Sequence, residues 1–97
     1  MTQEQLTTLA SASMTPTVHL NGTSKNALLD QITDVEQVLG KAIEALSEAS
    51  PNGRDYYPQG PDALRKAQKE HDARMAALVM VQHSLFELAD RIAGAGK

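Results

Sequence analysis

What this 97-residue chain lacks narrows its functions first. It has no cysteine, which removes disulfides, thiolate nucleophiles and thiolate-held metals and is compatible with an intracellular setting. Aromatics are scarce: Tyr56, Tyr57 and Phe86 are all there are. Cations are not in excess. Nine Lys and Arg stand against 12 Asp and Glu, for a formal net charge of -3, so a basic footprint for a nucleic-acid polymer is missing. That balance still leaves room for a small nucleotide in a local pocket. No run is apolar enough to span a bilayer, and the first residues show no basic stretch followed by an apolar one. The length fits one small domain, which buries little core by itself, so partners or self-association are expected.

What is present is organised around residues 51–60, Pro-Asn-Gly-Arg-Asp-Tyr-Tyr-Pro-Gln-Gly. This stretch separates two long helical patterns. Pro51 stops the helix before it, and Asn52-Gly53 suits a turn with positive φ. Arg54 offers a planar fork of donors for a carboxylate or phosphate, and Asp55 can anchor it or cap nearby amides. Tyr56 and Tyr57 can close the end of a helix pair, or stack on a base. Pro61 fits the first turn of the next helix.

The first helical pattern runs from Thr23 to about Ser50, with Thr23 or Ser24 able to cap it. Leu28, Ile32, Val35, Leu39, Ala42, Ile43 and Leu46 fall within one arc, and Leu29 and Val38 lie on opposite flanks of it. Asp30, Asp34, Glu36, Glu44 and Glu48 form an acidic outer face. Gly40 is either a site of close helix approach or a tolerated surface glycine. The second pattern runs from Pro61 to about Ala93 through Leu64, Ala67, His71, Met75, Leu78, Gln82, Leu85 and Ala89, with apolar residues on both flanks. Ion pairs are expected at Lys66/Glu70, Glu70/Arg74 and Glu87/Arg91. His71 reads as a satisfied interface histidine, with Gln82 available to a shared network, and His83 as an exposed one.

Before these helices, residues 1–22 read as a flexible arm and an extended entry segment. Leu6, Leu9, Ala10 and Met14 would form one face of a short helix there, and Pro16 would end it. The expected fold is therefore all-α: an antiparallel two-helix hairpin over residues 23–93, with a short N-terminal arm and a frayed end at 94–97, assembled into a helical oligomer. At about 1.5 Å per residue, residues 19–24 and 52–59 lie at opposite ends of such a hairpin. Only an assembly of several copies would join them. The candidate ligand-binding residues are His19, Asn21, Thr23 and Ser24 at one end, and Arg54, Asp55, Tyr56, Tyr57 and Gln59 at the other. The three histidines do not have metal-ligand spacing, and the carboxylates have no nucleophile or histidine beside them, so neither a metal, a cofactor nor an enzyme is expected.

His-Leu-Asn-Gly-Thr-Ser at 19–24, paired with residues 51–60, resembles a family of small uncharacterised proteins carried by bacteriophages and prophages. The resemblance covers about residues 17–93. It implies the cytoplasm of an infected bacterium and a possible host or phage protein as partner. Some small helical phage proteins sequester nucleotide signals between subunits. By that likeness the chain would be a non-enzymatic, oligomeric anti-defence protein binding a small phosphorylated ligand. The alternative is a protein-interaction or virion-associated structural module.

Overall fold

The computed structural model describes residues 2–11 and 14–94. Four α-helices carry the chain: α1 (Gln3–Ala10), α2 (Lys25–Glu48), α3 (Gly53–Tyr56) and α4 (Ala63–Gly94), with a 3-10 turn at Tyr57–Gln59. The all-α expectation holds. The two-helix hairpin does not, because the bundle has four helices and two of them fall where loop or arm was expected.

The first of these is α1, the short helix for which Leu6, Leu9 and Ala10 offer an apolar face. Thr2 and Gln5 form a capping box: the Thr2 hydroxyl accepts from the Gln5 amide at 3.1 Å, and the Gln5 side chain accepts from the Thr2 amide at 2.8 Å. Two end amides that a polar arm would leave to water are thereby satisfied. The helix packs on α4, with Leu6 and Leu9 half-buried. The second is α3. Asn52 is its cap, accepting from the Arg54 amide at 3.0 Å, and Gly53 is helical. The positive φ expected at Asn52-Gly53 is found instead at Gly60, whose φ of 108° takes the chain out of the 3-10 turn.

The two long helices fall close to their expected positions. Ser24 caps α2, accepting from the Ala27 amide at 3.1 Å. At the other end of α2, Ser50 meets His71, in the third turn of α4. That contact sets the end of α2 beside the start of α4, so α4 runs back along α2. Leu28, Ile32, Leu39, Ile43 and Leu46 are half-buried along the seam. Glu36 joins this covered side rather than the acidic outer face: it is half-buried, and its Oε1 is buried without a hydrogen-bond partner.

Among the described residues only Ala67, His71 and Ile92 are buried, all on α4. The Cα radius of gyration is 18.3 Å, against about 12.5 Å for a compact chain of this length. The accessible surface is 7240 Å², against about 5,400 Å² for a typical monomer of this mass. The molecule is a long, thin body with a narrow core.

Most of the expected surface ion pairs do not form. Glu87 and Arg91 approach to 4.0 Å, but Glu87 also meets His83 at 3.1 Å, and Arg65 pairs with Asp62 at 2.9 Å. Such exposed pairs contribute little to stability. The C-terminal end expected to fray at 94–97 lies outside the described residues except for Gly94, the last residue of α4.

Candidate functional site

The residues marked out in the sequence occupy two separate ends, with α2 between them. Its 24 residues put roughly 36 Å between residue 24 and residue 49. Within one chain, His19, Asn21, Thr23 and Ser24 therefore do not share a site with Arg54, Asp55, Tyr56, Tyr57 and Gln59.

At the entry end, all four residues are exposed. The Gly22 amide donates to the His19 carbonyl at 3.1 Å, closing a turn. The His19 ring then folds over Gly22, and a Cβ on that glycine would stand 2.7 Å from the ring nitrogen Nε2. A larger residue at this position would have to displace the exposed His19 ring. The Ser24 hydroxyl is already committed to capping α2. The placement of two of the four residues is thus set by the entry turn and the start of α2, although the Ser24 hydroxyl, an acceptor in the cap, keeps its own proton to donate.

At the connector end, Tyr56 is half-buried while Arg54, Asp55, Tyr57 and Gln59 are exposed. Arg54 and Asp55 form no ion pair with each other. The Tyr57 residue is 77% exposed. Three adjoining depressions surround this end. One, of about 340 Å³, lies among Gly53, Tyr56, Tyr57, Gly60, Pro61 and Leu64. A second, of about 520 Å³, has Tyr56 and Gln59 on one side and Lys66 and Glu70 on the other. The third, of about 590 Å³, continues from Pro61 and Leu64 along α4 past Arg65, Gln68, Lys69 and Asp72. All three are open surface hollows. Arg54 borders none of them; Lys66 is the cation that does so beside Tyr56 and Gln59.

The sequence reading did not select Lys66 as a ligand contact. Its signal was available, since it lies one turn into α4 from Asp62, where a side chain can point back toward the connector. His71 is the other residue whose role changes. It is buried, 5% exposed, and its Nε2 lies 3.2 Å from the Ser50 hydroxyl. Its partner is Ser50 rather than Gln82, and it ties the connector to α4. The His83 side chain is exposed, as expected. Among the described residues no group of three or more His, Cys, Asp or Glu side chains converges to hold a metal. Among the described residues no helix is long and apolar enough to cross a membrane.

No family model, curated protein or solved structure matches the chain. A phage origin and an anti-defence role gain no support from these comparisons, nor are they opposed by them.

Proposed function

We propose that this chain is a non-enzymatic helical interaction module that acts as a homo-oligomer and binds partners through its helix surfaces. The observation that carries this reading is the mismatch between apolar residues and cover. Val35, Val38, Val79 and Phe86 are all close to half exposed or more, while only three residues are buried among those described. Apolar side chains left open along a thin body are what a further helical surface would cover. The candidate ligand residues, exposed apart from half-buried Tyr56, lie at opposite ends of α2, so a single chain gathers them into no one site. The setting that goes with this reading is the cytoplasm of a bacterial host, on the resemblance of residues 19–24 and 51–60 alone.

A second reading, capture of a small phosphorylated ligand, draws on the hollow bordered by Tyr56, Gln59 and Lys66. There a ring, an amide and an ammonium stand around one opening. Arg54 would join them only from elsewhere on the surface or from another copy.

Native mass spectrometry of freshly purified protein, followed by denaturation of the same sample, tests both readings. An oligomer without a small molecule supports the interaction module. An oligomer releasing an intact nucleotide-sized ligand supports the second reading, and Lys66→Ala should then lose that ligand while keeping the assembly. A monomer at every concentration overturns the homo-oligomer.

A further inference from the structure

The apolar arc of α2 is wider than the side it packs with. Leu28, Ile32, Ile43 and Leu46 are half-buried, but Val35 is 50% exposed and Val38 68% exposed, and Ala42 is exposed beside them. A hollow of about 410 Å³ lies along this flank, bordered by Asp34, Val35, Val38, Leu39 and Ala42, all from the one helix.

We propose that this flank binds the same flank of a second copy, with the two α2 helices antiparallel and Val38 on the two-fold axis. This rests on the homo-oligomeric reading above and gives it a surface and a register. In a two-fold antiparallel pair, a residue a few places before the axis meets one a similar distance after it. Asp34 lies four residues before Val38, and Lys41 lies three after. At 3.6 residues per turn both fall on the polar edge of the flank. Both are exposed, and neither makes an ion pair within its own chain. Across the axis Asp34 of one copy comes opposite Lys41 of the other, and the symmetry makes that pair twice.

The other edge of the flank has matching symmetry. Val35 lies three residues before Val38 and Ala42 four after, so a larger apolar side chain meets a smaller one on the side away from the charges. A parallel two-fold pairing would instead set the Asp34/Lys41 edge of one copy against the Val35/Ala42 edge of the other, and the paired charges would be lost. One helix crossing buries less than the roughly 1,200 Å² of a standard interface, so the dimer is expected to be weak and concentration-dependent.

The chain has no cysteine, so Val38→Cys introduces a single thiol. A disulfide needs Cα atoms within about 7 Å, a condition met across the axis and not on the acidic outer face of the same helix. Under mild oxidation, Val38→Cys is expected to form covalent dimer at least about tenfold faster than Glu44→Cys, an exposed control position on that outer face. Equal rates would overturn the proposal. In sedimentation, Asp34→Lys and Lys41→Glu should each weaken association by about tenfold, and the two together should restore it. A double variant no better than either single one would overturn it too. If the protein associates while Val38→Cys links no faster than the control, the register falls and the oligomeric reading stands. If it stays monomeric throughout, both fall.

Discussion

The two ends of α4 and its middle are built differently. Near its start, Ala67 and His71 are buried beneath the connector; near its finish, Ile92 is only 1% exposed. Between them no residue of α4 is buried, and Val79 and Phe86 stand 46% and 48% exposed. The start has extra chain to cover it: the connector folds into α3 and a 3-10 turn, both of which contact α4, with Tyr56 and Gln59 beside Lys66 and Ala67. α1 also packs on α4. One helix covers only one stripe of another, and Val79 and Phe86 fall outside the covered stripes. The tips of α4 are thus closed and its waist is open, which is where a partner surface has room.

That contrast can be broken by substitution. The largest effect is expected for Ile92→Ala at the sealed finish, a loss of about 2–5 kcal/mol in urea unfolding, because a fully packed side chain leaves a cavity. Ser50→Ala should cost about 1–3 kcal/mol by the same measurement, since it leaves a buried ring nitrogen of His71 without its partner. Ser24→Ala removes the α2 cap and is expected to cost about 1 kcal/mol, read as a lower thermal midpoint. The smallest effect belongs to the waist: Val38→Thr keeps shape and β-branching at an exposed position and should change stability of dilute protein by no more than about 0.5 kcal/mol. A large loss there, matching Ile92→Ala, would abolish the distinction between tips and waist.

The long helices were legible because their apolar residues repeat with helical spacing and their starts carry capping side chains. Residues 23–50 and 61–93 were read, and Lys25–Glu48 and Ala63–Gly94 are found, with Ser24 capping as one of two named candidates. The short helices were less legible. The Thr2-x-x-Gln5 pattern of α1 was present, but a polar, Ser/Thr-rich composition pointed to disorder more strongly. Asn52-Gly53 read as a turn because that dipeptide often makes one; here the asparagine side chain caps a helix and the glycine enters it. The separation of residues 19–24 from 52–59 was legible from helix length alone. Which polar groups are already engaged was not, because the ring of His19 over Gly22 and the bond from His71 to Ser50 depend on side-chain placement. Glu36 shows the same limit: spacing put it with the acidic face, and the seam takes it in.

The Ser50 hydroxyl has one proton, and it donates that proton to the Ser47 carbonyl at 2.9 Å. While it does so, the same oxygen can only accept from His71, and the ring donates from Nε2; with the hydroxyl turned to the ring instead, Nε2 accepts, so the tautomer of a residue 21 positions away follows the last turn of α2. The ring nitrogens of His71 consequently form a built-in nuclear-resonance reporter. Their shifts register whether the last turn of α2 is seated on α4, without any label placed at the junction.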